Sequence, residues 1–187
     1  MSFLKSSPGP TNLPDVLQMY PRRALPMLRL IDDILRGDSP FTTAEREMIF
    51  AFASSQNQCS FCYESHKPVA GAFGIDETVF DELLADIDAA SVREELKPVL
   101  KYVRKLTLTP YKMIAADAEA IYGAGWDDQA LVDAASICAI ANYYNRFVDG
   151  VGIDVSSAVA RETGGAILPT IGYAGLADTL EKGQENQ

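Results

Sequence analysis

The chain has 187 residues, of which 48% are hydrophobic and 22% are charged, so its composition is that of an ordinary globular domain and not of a disordered segment. Its 16 basic and 26 acidic residues give a formal charge of -10, which repels nucleic acid and anionic membrane surfaces, and we expect neither as a partner. The first ten residues lack the apolar core of a signal peptide, and no apolar run is long enough to cross a bilayer, so we expect a cytoplasmic protein.

The N-terminal region is rich in proline. Four prolines lie among polar residues within residues 1–22, which predicts an extended arm on the domain or on a neighbouring copy. Apolar residues then recur with a helical period over residues 23–35, and Gly37 ends this predicted helix.

Two further helices are predicted around the first two cysteines. Thr42 with Glu45 three residues later is a capping-box pattern, which begins a helix that runs to about Ser55. The second helix runs from Cys59 to Gly74, and Pro68 is expected to bend it or to end its regular part.

The second half of the chain continues the helical pattern. Asp76 is expected to cap a short helix, the pair Ser91 and Glu94 to begin another, and residues 114–122 to form a third. The longest predicted helix begins at Asp127 and closes at Gly150, and the glycine-rich remainder is interpreted as loops. Because no segment alternates as a strand does, the predicted fold is all-α, with a helical domain over residues 23–175 and a C-terminal tail over residues 176–187.

The second predicted helix carries the residues that favour chemistry. Cys59, Cys62 and His66 stand at positions i, i+3 and i+7, so they share one helix face. At the start of a helix, the free amide groups and the helix dipole lower a thiol pKa, which predicts a reactive thiolate. His66 is the only histidine in the chain and could accept the Cys62 proton, and Glu47 is the carboxylate that we expect to orient it.

At these four residues the sequence resembles the alkyl hydroperoxidase D and carboxymuconolactone decarboxylase family. The redox-active members of that family carry the pattern E-x11-C-x2-C-x3-H, and Glu47, Cys59, Cys62 and His66 match every interval. The resemblance covers about residues 20–152, since the later stretch NYYNRFVDGVG is similar to a segment of the subgroup described as peroxidase-related proteins.

The resemblance implies a hydroperoxide-reducing dithiol in a compact, all-helical fold that self-associates as a homo-oligomer. It implies that Cys62 attacks the peroxide, that Cys59 resolves the sulfenic acid to a disulfide, and that Glu47 and His66 relay the proton. An external dithiol or a protein reductant would reset the disulfide, and no cofactor is expected. The founding members have a histidine directly before the second cysteine, where this chain has Phe61, so a shorter relay is expected.

Two alternatives remain open at this stage. The two thiolates, the imidazole and the carboxylate could instead hold zinc in a structural or regulatory oligomer. A decarboxylase-like enzyme of the same family is the other alternative, although those branches typically lack the cysteine pair.

A few other residues have less specific patterns. Phe61, Asn142, Asn145 and Arg146 are candidates for a pocket or an oligomer interface, and structural roles are favoured for the three polar side chains because buried polar groups commonly satisfy each other. Cys138 lies in an apolar helix and is interpreted as core packing.

Overall fold

A computed structural model describes residues 2–6, 11–153 and 156–185 of the chain. Within these ranges every regular element is helical, which confirms the predicted all-α class. In chain order the helices are α1 (Leu13–Met19), α2 (Pro21–Arg36), α3 (Thr43–Gln56), α4 (Ser60–Ala72), α5 (Thr78–Ala85), α6 (Leu96–Leu108), α7 (Ala115–Gly123), α8 (Asp128–Val151) and α9 (Ser157–Glu185), with a 3₁₀ turn at Pro110–Lys112.

Helix α3 lies at the centre of the fold. It begins as its sequence predicts, because the Thr42 side chain accepts a hydrogen bond from the Glu45 amide while the Glu45 carboxylate accepts one from the Thr42 amide. All residues of α3 from Ala44 to Ser54 are buried. Helices α4, α6 and α8 pack around it, so a side chain on α3 can reach residues from several distant parts of the chain.

The N-terminal region differs from the predicted extended arm. Asn12 and Asp15 form a capping box that begins α1, and Pro14 lies in its first turn, where the missing amide costs no hydrogen bond. Helix α2 also has a proline in its first turn. It begins at Pro21, two residues before the predicted Arg23. Pro8 and Pro10, on which the prediction also rested, lie outside the described residues.

The C-terminal region differs more strongly from the prediction. Within the region interpreted as loops and tail, Ser157–Glu185 form the long helix α9, which is interrupted at Gly172 with φ 64°. Helix α9 packs on α4 and α2. A Cβ at Gly164 would overlap the carbonyl oxygen of Ser65, so this glycine allows a close approach of α9 to α4 and does not mark a loop.

Other boundaries shift by a few residues. Helix α4 continues through Pro68 to Ala72, and α5 begins at Thr78, whose amide donates to the Asp76 carboxylate. Ser91 does not cap the next helix, because α6 begins only at Leu96. The Ser91 amide donates to the Glu82 carboxylate instead. Over the described ranges, none of the helices combines the length and the apolar character needed to span a membrane.

Candidate active site

The Cys-x-x-Cys pair lies where α4 begins, at the boundary with α3. Cys59 is the N-cap residue of α4 and Cys62 lies in its first turn. Their side chains are 1% and 2% exposed, and both cysteines are free thiols. Burial and the neighbouring Cys59 raise the pKa of the Cys62 thiol well above its usual range, although the nearby Asn145 side chain acts in the opposite direction. The pKa of the resting Cys62 thiol is therefore raised and not lowered as expected, and burial is the largest cause.

His66 and Glu47 form a buried pair one turn of α4 beyond Cys62. The His66 Nδ1 atom lies 2.6 Å from Glu47 Oε2, and the Glu47 side chain is 0% exposed. The Glu47 carboxylate also makes an ion pair of 2.6 Å with Arg36 on α2 and accepts a 3.0 Å hydrogen bond from the hydroxyl of Tyr173 on α9. Three other helices therefore converge on one carboxylate of α3, and this holds the imidazole in one orientation.

The charge state of Glu47 follows from its partners. Burial alone would raise the pKa of this carboxyl, but the attraction of His66 and Arg36 outweighs the desolvation, and the pKa lies below its usual value. The buried group is therefore a carboxylate at neutral pH. Burial and the same carboxylate raise the pKa of Tyr173, which keeps the tyrosine protonated as a hydrogen-bond donor.

Ring packing fixes the plane of the imidazole. Phe50 stacks on His66 with ring centroids 3.7 Å apart and an angle of 19° between the planes. Because Nδ1 faces Glu47, the opposite ring nitrogen, Nε2, points away from the carboxylate.

A small apolar cavity adjoins the thiol and the imidazole. Its volume is about 80 Å³, and both Cys62 and His66 line it. Most of the other lining side chains are apolar and come from four helices and the start of α4: Leu13, Pro14, Leu17, Leu28, Ile31, Phe61, Tyr144, Ile167, Leu168, Tyr173 and Leu176. Phe61 thus lies at a pocket, as the sequence suggested.

The polar residues of α8 are divided between the site and the surface. Asn145 is buried, donates to the Ser54 hydroxyl at 2.9 Å and accepts from the Asn57 amide at 2.7 Å. The same Asn57 amide also donates to Asn142, and Arg146 donates to Asn142 from an exposed position. Asn145 lies beside the cysteine pair, since its carbonyl oxygen is 4.0 Å from the Cys59 sulfur and its side chain interacts with Cys62. Asn142 and Arg146 continue the hydrogen-bond network towards the surface.

Cys138 lies on the same helix but outside the cavity. It is buried in α8, and its sulfur lies 3.2 Å from the Thr107 hydroxyl. Burial raises the pKa of this thiol, in keeping with its interpretation as a packing residue.

Three residues of the site were not identified from the sequence. Arg36 contacts Glu47 from the end of the preceding helix α2, and Tyr173 contacts it from α9, in the region interpreted as loop. Asp149 lies 3.4 Å from the Cys59 sulfur through its Oδ1 atom. One signal for Asp149 was present, because it follows Asn142 and Asn145 at spacings that place all three on one face of α8.

The four residues of the zinc hypothesis do not form a metal site in the described structure. Across the ranges that the structure describes, no group of three or more His, Cys, Asp or Glu side chains is arranged to hold a metal ion. The Glu47 carboxylate, one of the ligands in the zinc hypothesis, is already engaged by His66, Arg36 and Tyr173.

These features define an all-helical domain, and its fold is similar to that of the alkylhydroperoxidase AhpD core. The fold of the chain is similar to that of an uncharacterized peroxidase-related protein from Ralstonia eutropha JMP134, described as an alkylhydroperoxidase AhpD core, with a TM-score of 0.72 over 80% of this chain and 78% of that one. It is equally similar to an uncharacterized peroxidase-related protein from Silicibacter sp. TM1040, with a TM-score of 0.71 over 79% of this chain and 78% of that one. Identity is 23% in both comparisons, so they confirm the expected fold and do not extend to activity. No protein-family model and no curated protein matches the chain.

Proposed function

We propose that the protein is a thiol-dependent peroxidase or a closely allied disulfide oxidoreductase. The observation that carries this proposal is the buried pair of His66 and Glu47, 2.6 Å apart, beside the same cavity that Cys62 lines. A buried carboxylate that orients an imidazole next to a thiol is the arrangement by which a cysteine nucleophile is activated. The description of the two similar structures as peroxidase-related agrees with this chemistry.

In the first step, Cys62 reduces the hydroperoxide. His66 Nε2 takes the Cys62 proton, and the thiolate attacks the terminal peroxide oxygen. The O–O bond breaks, an S–O bond forms, and the departing alkoxide takes the proton from His66. The products are one alcohol and Cys62 as a sulfenic acid. The raised pKa of Cys62 makes the proton acceptor necessary, because the resting thiol is protonated.

In the second step, Cys59 resolves the sulfenic acid. Its sulfur attacks Cys62, an S–S bond forms, the S–O bond breaks, and one water leaves. An external dithiol or a protein reductant then supplies two electrons and two protons to restore both thiols.

The cavity suggests the chemical class of the substrate. Its lining side chains are mainly aliphatic and aromatic, and the described ones include no lysine or arginine. An uncharged organic hydroperoxide fits this surface better than a charged one, because an anion would lose its hydration without gaining a partner.

The compartment and the assembly state are part of the same proposal. A dithiol that must be reset after each turnover suits the cytoplasm, where thiols are kept reduced. We also propose that the chain self-associates as a homo-oligomer. Sedimentation velocity over a range of protein concentrations tests this, and a single monomeric species throughout would contradict it.

The experiment that tests the function compares three cysteine variants. We expect Cys62→Ser to abolish dithiothreitol-dependent consumption of cumene hydroperoxide, and Cys59→Ser to stop turnover with Cys62 trapped as a sulfenic acid or a mixed disulfide. Cys138→Ser is the matched control and should keep wild-type turnover, because its sulfur contacts Thr107 and not the cavity. Full turnover by both Cys62→Ser and Cys59→Ser would refute the proposal, and so would stoichiometric zinc in protein purified without added metal.

A further inference from the structure

Asp149 has a contact that the relay of Glu47 and His66 does not explain. Its Oδ1 atom lies 3.4 Å from the sulfur of Cys59, which is a hydrogen-bond distance for a thiol donor. The Cys59 side chain is buried, whereas Asp149 is exposed on the last turn of α8. The carboxylate therefore connects a buried thiol to bulk water.

The position of Asp149 is not explained by the stability of α8. An acidic side chain in the last turn lies near the negative end of the helix dipole, where its charge is unfavourable. The helix is instead ended by Gly152, which adopts the left-handed conformation with φ 68°. A residue that is unfavourable for its own helix and contacts a sulfur is a candidate for a chemical role.

The two neighbouring sulfurs differ in the base that lies beside them. His66 is committed to Glu47 through Nδ1 and shares the cavity with Cys62, and therefore serves the first thiol. Cys59 lies on the α8 side, where its sulfur is 4.0 Å from the Asn145 carbonyl oxygen and 3.4 Å from Asp149. A backbone carbonyl cannot take a proton, but a carboxylate can.

We propose that Asp149 is the proton acceptor for the resolving thiol Cys59. This inference rests on the proposed function. When Cys59 attacks the Cys62 sulfenic acid, the Cys59 proton passes to the Asp149 carboxylate, the S–S bond forms and the S–O bond breaks. The departing hydroxide takes up a proton to become water, and Asp149 returns its proton to solvent. Each half of the dithiol reaction therefore has its own base.

The test is a single-turnover measurement on Asp149→Asn, which keeps the size of the side chain and removes its basicity. The reduced full-length protein is mixed with one equivalent of cumene hydroperoxide and quenched at intervals. Dimedone then labels sulfenic acid, and mass spectrometry quantifies labelled protein and disulfide. We expect disulfide formation to slow by about a hundredfold, which is within the usual contribution of a general base. Sulfenic acid should form at the wild-type rate and accumulate.

Glu119→Gln is the matched control, because it removes one exposed negative charge from α7 without touching either thiol. It should leave both steps unchanged, and circular dichroism of all variants checks that the helices are retained. If Asp149→Asn forms the disulfide at the wild-type rate, or if it slows sulfenic acid formation as much as resolution, the role of Asp149 is overturned. If the wild type forms neither sulfenic acid nor disulfide, the proposed function fails instead, and the inference fails with it.

Discussion

At the scale of single residues, Glu47 shows how a carboxylate can remain charged in the core. It has no exposure to water, yet His66, Arg36 and Tyr173 all lie within 3.0 Å of its oxygens. Such a group supports the fold only while its partners remain, because a buried charge without a partner is strongly destabilising.

Glu47 should make the protein sensitive to acid. Its pKa is lower in the folded chain than the ordinary value of 4.5. The stabilisation is therefore fully present above about pH 4.5 and is lost as the pH falls from there through the lower folded pKa. We expect the wild-type free energy of unfolding in urea to exceed that of Glu47→Gln by roughly 3 kcal/mol at pH 7. The difference should shrink at pH values below the ordinary pKa.

The comparison isolates Glu47, because the other carboxyl groups titrate in both proteins. Glu181→Gln is the control, since Glu181 makes an exposed ion pair with Arg29 and such pairs contribute little to stability. A difference between wild type and Glu47→Gln that stays constant from pH 7 to pH 3 would contradict the lowered pKa.

At the scale of helices, local sequence signals and long-range packing had different predictive value. The capping box at Thr42 and the N-cap at Asp127 were predicted correctly because each depends on residues within one helical turn. Helix α9 was missed because Gly164, Gly165 and Pro169 indicate loops in isolation. Gly164 in fact provides room for α4, which no local pattern shows.

The contact between α9 and α4 predicts the effect of a single methyl group. In Gly164→Ala the new Cβ would overlap the Ser65 carbonyl oxygen, so the two helices must separate. We expect a loss of about 1–3 kcal/mol in the free energy of unfolding, measured by urea denaturation.

Gly183→Ala is the matched control on the same helix, because a Cβ there meets no atom within 4 Å. It should stabilise the protein by roughly 0.5–1 kcal/mol, since alanine favours a helix over glycine. If Gly164→Ala proves as stable as Gly183→Ala, the close packing of α4 and α9 is refuted.

At the scale of the whole molecule, the sequence identified the core of the candidate site but not its surroundings. Glu47 and His66 meet as expected because α3 and α4 are neighbours in the chain and pack together. Arg36, Tyr173 and Asp149 are brought to them by tertiary packing of α2, α9 and α8, and local sequence patterns do not show which atoms of the site they contact.

The cavity and the net charge together predict a preference for neutral substrates. The described lining of the cavity offers an anion no lysine or arginine, and the whole chain carries a formal charge of -10. We expect kcat/KM for cumene hydroperoxide to exceed that for its para-carboxylate analogue by at least about tenfold, which corresponds to about 1.4 kcal/mol. The two substrates differ only in the carboxylate, so steady-state rates with the same reductant measure the effect of charge.

Salt separates the two causes of this preference. Repulsion by the net charge acts over a long range and should weaken between 0.02 M and 0.5 M sodium chloride, because the screening length falls to a few ångströms. The cost of removing the carboxylate from water within the apolar cavity is local and should persist at high salt. If the two substrates have equal kcat/KM values at both salt concentrations, the reacting hydroperoxide does not enter this cavity.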